Sequence, residues 1–363
     1  MKKSYLFAAA AMLMAACQNP NPNAYTISGA IEGVEEGDTI ELGVAQGREL
    51  QTMNTAIVTD GKYTFTGTTD TCQMAFISVA GKPQARLFVE PGNITADILE
   101  EGETRAAGSP NNDRMNKFDA DMQAIYDEYG ELSKKLQEMG EEAEGAADIK
   151  AQMEAVEGKF DEVVKAAVSD NADSELGLFL LQQYSYNFEA EELAPILDKF
   201  LEKFPTNDIV VKTKKNNDLV LGTSAGKPFV DFEMNDPEGN PVKLSQFISQ
   251  NKVTLVDFWA SWCGPCRAEM PAVKAAYEAF ASKGFGIVGV SLDRDAESWK
   301  KGIADLGITW PQMSDLKYWD CEGAALYGVR SIPATVLVGQ DGTIIARNLR
   351  GEAIAEKLAE LLN

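Results

Sequence analysis

Val253-Thr254-Leu255-Val256-Asp257-Phe258-Trp259-Ala260-Ser261-Trp262-Cys263-Gly264-Pro265-Cys266 is the stretch that decides the fold. Val253 to Ala260 is almost unbroken in apolar residues, as a buried strand is, and behind it Cys266, Met270, Val273, Tyr277 and Phe280 recur every three or four residues. A strand therefore hands over directly to an amphipathic helix, with two thiols at the junction. Cys263 falls where the helix begins, so unpaired backbone N–H groups and the positive end of the helix dipole favour its thiolate over its thiol. Cys266, one turn on and on the apolar face, is placed to reach back to the first sulfur and close a small disulfide ring. One thiol is suited to attack and the other to resolution.

Other chemistries share this spacing. Half of a zinc site does, but the chain has no histidine and no second close cysteine pair to complete four ligands, so no metal is expected. Haem attachment needs histidine after the second cysteine, and Arg267 stands there. A purely structural disulfide is the bland alternative, because oxidised cysteines are ordinary in exported proteins.

With Pro271 on the following helix and Ser331-Ile332-Pro333-Ala334-Thr335 downstream, the stretch Val256 to Cys266 resembles thioredoxin, and the resemblance spans residues 225–363. It implies an α/β thioredoxin fold there and no cofactor beyond a redox-active Cys263–Cys266 disulfide, with Cys263 as nucleophile and Cys266 as resolving thiol. Pro333 matches the family's cis-proline opposite the disulfide, which leaves the Ile332 backbone free to pair with an extended substrate. Asp257 matches the buried acid beneath the disulfide. The pattern of the strand agrees: Asp257 alternates with Leu255 and Trp259, so an isolated carboxylate faces an apolar layer and desolvation should raise its pKa. It is the candidate acceptor for the Cys266 proton, and a satisfied structural aspartate is the alternative. Trp262, Gly264 and Pro265 complete the motif, the last two as in thioredoxin itself, which implies a reducing couple. Ahead of it, Val230 to Met234 and Val242 to Leu244 read as an extended pair turned at Asp236-Pro237-Glu238-Gly239, an addition to the minimal thioredoxin unit. That addition, with the long interval between Leu292 and Pro333, resembles the membrane-anchored TlpA/ResA-like thiol-disulfide oxidoreductases and implies an inserted helix and an extra segment around Ile308 to Met313.

At 363 residues the chain has room for two or three domains. Residues 1–16 carry Lys2 and Lys3, an apolar stretch from Tyr5 to Met14, and small residues before Cys17, the layout of an export signal too short to span a bilayer stably. The junction resembles a bacterial lipobox, with Met14 where leucine is usual, and implies lipidation of Cys17. Residues 17–24 read as a polar, proline-rich tether. Formal charge is −23, and removing Lys2 and Lys3 with the signal leaves 31 − 56 = −25. Nucleic acid is a poor partner for such a body, and so is an anionic membrane surface.

Residues 25–108 alternate in short segments, Tyr25 to Ile31, Thr39 to Val44, Ala56 to Val58, Tyr63 to Thr66, Met74 to Ala80, Arg86 to Val89 and Ile94 to Ile98, with Asp60-Gly61 as a hairpin turn. A small antiparallel β-sandwich is expected, and it resembles the uncharacterised β domain found ahead of thioredoxin domains in many bacterial lipoproteins. Residues 109–221 read as an α-helical region. A stripe from Met115 to Met139 and another from Ile149 to Val163 predict an antiparallel helix pair, followed by Leu176 to Tyr184 and by Leu193 to Phe204, stopped at Pro205. Cys72 is expected to be a buried inert thiol, and Cys321, ahead of the Pro333 segment, to be inert or to have a secondary redox role.

Taken together, these features predict an exported protein-disulfide reductase, lipid-anchored in the bacterial cell envelope and facing the periplasm. Its partners would be disulfide-containing exported proteins and a membrane electron donor. A peroxiredoxin-like peroxidase shares the fold, but Ala260 stands where peroxiredoxins have threonine, and their usual site lacks a cysteine three residues on. A non-catalytic adaptor lipoprotein is the third possibility, opposed by the presence of both thiols, Asp257 and Pro333.

Overall fold

The computed structural model describes residues 21–47, 49–99, 105–140 and 142–362, so the signal segment 1–16 and Cys17 lie outside the described residues. The chain divides into two compact units, Met1–Asn187 and Phe188–Asn363.

In the first unit, β1 (Ala24–Ala30), β2 (Thr39–Gln46), β3 (Glu49–Ile57), β4 (Lys62–Thr68), β5 (Gln73–Val79), β6 (Lys82–Val89), β7 (Gly92–Ala96) and β8 (Ala106–Ala107) form two four-stranded sheets, ordered β4-β1-β7-β8 and β3-β2-β5-β6. Ile27, Phe65 and Ile94 from one sheet and Ile40, Leu42 and Ile77 from the other share a single buried core, as a sandwich requires. It is not wholly antiparallel. β7 enters beside β1 in the same direction, Tyr25 opposite Gly92 through Ser28 opposite Thr95, because the chain has crossed to the second sheet and back in between. Asp60 and Gly61 do turn the chain, both at positive φ (52° and 65°), but they carry it from β3 in one sheet to β4 in the other, and only Thr59 and Lys62 bridge. β3 is nine residues long where three were expected; it pairs with β2 through its backbone while most of its side chains stay accessible, so no apolar alternation announces it. β6 accommodates Pro83 because it is an edge strand.

Helices α1 (Pro110–Met139), α2 (Ala146–Asp170) and α3 (Glu175–Tyr184) complete this unit. Tyr126 packs on Phe160 and Lys159 pairs with Glu128 at 2.7 Å, the pairing of an antiparallel hairpin. The α1 stripe is core only as far as Ile125, and Met139 at its end is 37% exposed. Near its start α1 meets α3 and the sandwich, through Phe118 on Tyr184 and Asn112 on the Phe88 backbone.

The second unit begins earlier than residue 225. Helices α4 (Ala190–Lys203) and α5 (Asp208–Gly222) belong to it, so the region 109–221 is divided between the units. Arg347 fastens the end of α5 by donating to Thr223 O at 3.1 Å and to Tyr327 O at 2.7 Å. β9 (Glu233–Asn235) and β10 (Pro241–Lys243) make a hairpin shorter than expected, because Leu244 opens α6 (Leu244–Ile248). Then come β11 (Val253–Trp259), α7 (Gly264–Phe280), β12 (Phe285–Ser291), α8 (Ala296–Leu306), β13 (Gln312–Met313), α9 (Glu322–Leu326), β14 (Ala334–Gly339), β15 (Ile344–Arg347) and α10 (Glu352–Leu362). The sheet order is β13-β12-β11-β14-β15, with β12 parallel and β14 antiparallel to the central β11. This is a thioredoxin-like fold, and α8 with β13 is the insertion expected after Leu292. Every residue of β11 is buried, which is why its sequence shows no alternation.

Candidate active site

β11 stops at Trp259, and the turn through Ala260 to Trp262 closes where Cys263 N donates to Ala260 O at 3.1 Å. Cys263 is the N-cap of α7: its backbone is extended (φ −82°, ψ 103°), and Cys266 N donates to its Sγ at 3.1 Å. Sulfur thus occupies the place usually taken by a serine or aspartate oxygen, where an otherwise orphaned N–H and the helix dipole both favour negative charge. Pro265 sits in the first turn, where no helical N–H is needed. Cys266 faces the core and is joined to Cys263 in a disulfide, Cα atoms 5.3 Å apart. Both cysteines are buried, whereas Trp262 is 46% exposed, and Gly264 and Pro265 are exposed beside it.

Two elements bring the remaining motif residues to this point. β14 pairs Ala334 with Phe258 and Thr335 with Asp257, so the loop carrying Pro333 leaves the sheet at the end where α7 starts. The Ile332–Pro333 peptide is cis, and Ile332 O lies 3.6 Å from Cys263 Sγ. Asp257 is 4% exposed, opposite Gly289 and Thr335, and its carboxyl has no hydrogen bond among the described residues. Burial pushes its pKa up to about 7, the charge of Glu269 adds to the rise, and Arg350 opposes it.

Glu269 and Arg350 were not singled out in the sequence. Glu269 stands three residues after Cys266 on α7, hence on the same side of the helix, and it accepts a hydrogen bond from Gly351 N. That spacing was a usable signal. Arg350 donates to Pro333 O from the loop after β15, which the antiparallel pairing of β15 with β14 carries back to the start of β14, and no local pattern reveals that meeting. Asp293 was missed as well. It is 1% exposed and accepts from Ser261 N at 3.1 Å and Ser261 Oγ at 2.6 Å, anchoring the turn before Cys263.

The other cysteines lie elsewhere. Cys72 is half-buried, and burial with the charges of Glu90 and Glu175 pushes it up to about 12. Cys321 is fully buried and pushed up to about 11, chiefly by burial, so the redox role considered for it lacks the exposed, lowered thiol it would need.

Parts of the chain are similar to known proteins. Residues 225–347 match the AhpC/TSA family, and residues 25–115 match a domain of unknown function, DUF4369. Among solved structures, the thioredoxin domain of a thiol-disulfide oxidoreductase from Bacteroides vulgatus is 35% identical, over 39% of this chain and 99% of that one, at a TM-score of 0.36. A thiol:disulfide interchange protein from a Bacteroides species is 34% identical over 39% of this chain and 92% of that one, at the same TM-score of 0.36. The thiol-disulfide oxidoreductase ResA of Bacillus thuringiensis subsp. konkukian is 30% identical over 137 residues, which are 38% of this chain and 76% of that protein. With the strand, the capped cysteine pair and the Pro333 loop arranged as thiol-disulfide exchange requires, this likeness over three quarters of a relative places the chain in the ResA-type family of thiol-disulfide oxidoreductases.

Proposed function

We propose that this oxidoreductase works as a reductase of disulfides in exported proteins. The observation that carries the proposal is the capped Cys263 sulfur set against the Ile332-Pro333 loop, with Asp257 buried in the strand below. In the reduced protein the Cys263 thiolate attacks one sulfur of a substrate disulfide; a mixed disulfide forms and the other substrate sulfur leaves as thiolate. Cys266 then gives its proton to Asp257 and attacks Cys263 Sγ, which closes the internal disulfide and releases the second substrate thiolate. Two electrons have passed to the substrate, and a membrane electron donor restores the dithiol. Trp262, Gly264 and Pro265 form the rim over which a substrate approaches, and the Ile332 backbone offers it an edge to pair with.

The site is placed outside the cytoplasm, on the periplasmic side of the envelope, by a cleaved signal 1–16 and a lipid on Cys17. No helix among the described residues is long and apolar enough to cross a membrane. Cys17→Ala should yield an unprocessed precursor whose soluble domain keeps its activity; normal processing and membrane attachment of that variant would remove the anchor.

Cys266→Ser is the central test. Cys263 still attacks, but serine is a far poorer nucleophile toward sulfur, so the mixed disulfide persists. Exported proteins bearing disulfides should be recovered on it under non-reducing conditions and released by reductant. Capture no greater than that of the double variant Cys263→Ser/Cys266→Ser would favour the adaptor role. The AhpC/TSA match gives the peroxidase reading its footing. Peroxide consumption faster than reduction of a protein disulfide would decide for it.

A further inference from the structure

Trp262 does not stand alone beside the disulfide. Its ring lies 5.0 Å from that of Tyr318 and 6.1 Å from that of Trp319, and the latter two are 5.9 Å apart. Trp262 and Trp319 are 46% and 40% exposed, among the most accessible large apolar side chains of the described residues. The Tyr318 and Trp319 rings come from the segment between β13 and α9, which the exchange chemistry itself does not use. That segment is held in place. Ser314 Oγ donates to Ser291 O at 2.8 Å, Asp315 accepts from Lys317 N at 3.1 Å and from Glu322 N at 2.9 Å, and Leu316 and Tyr318 take left-handed backbone angles (φ 57° and 58°) that bulky residues rarely adopt.

Arg294 lies over the Tyr318 ring, Cζ 3.9 Å from its centroid. The contact is with the ring, and no acceptor among the described residues takes the guanidinium N–H groups. No carboxylate pairs with it among the described residues, because Asp293 is turned to Ser261 and Ser291, and Asp295 to Ser298 N. In a chain with 56 acidic and 33 basic side chains, an arginine with no carboxylate partner among the described residues, set on the ring that packs against Trp262, is complementary to an acid from outside.

We propose that Trp262, Tyr318, Trp319 and Arg294 form a specificity platform for a polypeptide that carries an aspartate or glutamate within a few residues of its disulfide. The rings receive the apolar part of the segment and Arg294 its carboxylate. This rests on the exchange reaction at Cys263 proposed above and adds to it which disulfides are preferred.

The test uses the full chain, reduced beforehand, and two synthetic peptides with the same internal disulfide, one with glutamate and one with glutamine beside the cysteine. The wild type should favour the glutamate peptide about three- to fivefold in kcat/KM, the scale of one exposed ion pair, and the preference should shrink as salt is raised. Arg294→Gln should bring the ratio close to one, Arg294→Lys should restore only part of it, and Trp319→Ala should raise KM for both peptides more than it lowers kcat. Equal rates for both peptides in the wild type, or an unchanged ratio in Arg294→Gln, would overturn the platform and leave the exchange reaction standing. Reduction of neither peptide would overturn both. A charge preference shown with glutathione disulfide but not with the peptides would overturn the polypeptide as occupant.

Discussion

Asp257 carries its pKa to about 7 because the carboxyl is buried without a hydrogen bond, with Glu269 near and Arg350 only partly compensating. As acceptor of the Cys266 proton it must be ionised, so release of the mixed disulfide should quicken as pH rises through about 7. Asp257→Asn should slow that release at least about tenfold and affect the first attack less, seen in rapid-mixing kinetics. Unchanged turnover would return Asp257 to a structural role. Glu269→Gln should move the pH midpoint down, since it removes a like charge. The same shift bears on stability. A carboxyl whose pKa is raised by folding favours the folded state fully below its unfolded value near 4 and loses that contribution as pH rises through about 7. Asp257→Asn should therefore stabilise the oxidised protein at pH 8 by up to about 4 kcal/mol, a gain that fades below pH 4, read by urea unfolding. Cys263 should alkylate with a pH midpoint clearly below the roughly 8.5 of a free thiol and much faster than Cys266. Equal rates would mean that the bond from Cys266 N and the helix dipole do not act on it.

Among the elements, β11 and α7 were legible because each is dominated by one requirement. β11 is buried on both faces, and α7 sets Cys266, Met270, Val273, Ala276 and Phe280 against the core. Within the region 109–221 read as helical, α5 has no stripe of its own because it buries only Val210, Thr213 and Asn217, two of them polar. Its position is fixed from elsewhere, by Asn217 donating to Ala190 O at 2.8 Å and by Arg347 reaching Thr223. Burial lowers the Arg347 pKa, and backbone carbonyls rather than an acid receive its charge. Arg347→Ala leaves the Thr223 and Tyr327 carbonyls short of a donor and should cost about 2–3 kcal/mol, measured by urea unfolding. A loss below about 0.5 kcal/mol would mean that water replaces the guanidinium.

For the whole molecule, the division at residue 187 changes what counts as the catalytic unit. A fragment 188–363 should fold and melt several degrees above a fragment 225–363, because the shorter one lacks α4 and α5 and so uncovers the backbone at Gly328, against which Val220 of α5 packs so closely that a Cβ there would come within 2.7 Å of it. Equal melting temperatures would mean that α4 and α5 do not stabilise the thioredoxin-like part. The parallel entry of β7 beside β1 belongs to this scale too, since it follows from the path of the chain between sheets rather than from any strand's own pattern.

The sequence by itself determined what depends on neighbours along the chain: the strand-to-helix junction, the sulfur at the helix start, the second thiol one turn on, and an acid isolated on an apolar strand. The Pro333 loop came from a motif, and its distance from the cysteines was bridged by the family's pattern rather than by periodicity. Tertiary structure alone decided which distant side chains tune the site. Arg350 on Pro333 O, Asp293 under Ser261, and Tyr318 with Arg294 beside Trp262 meet through strand register and loop packing. Contacts between residues far apart in sequence leave no periodic trace, because local burial sets the pattern of a segment and the fold of the rest of the chain sets what that segment meets.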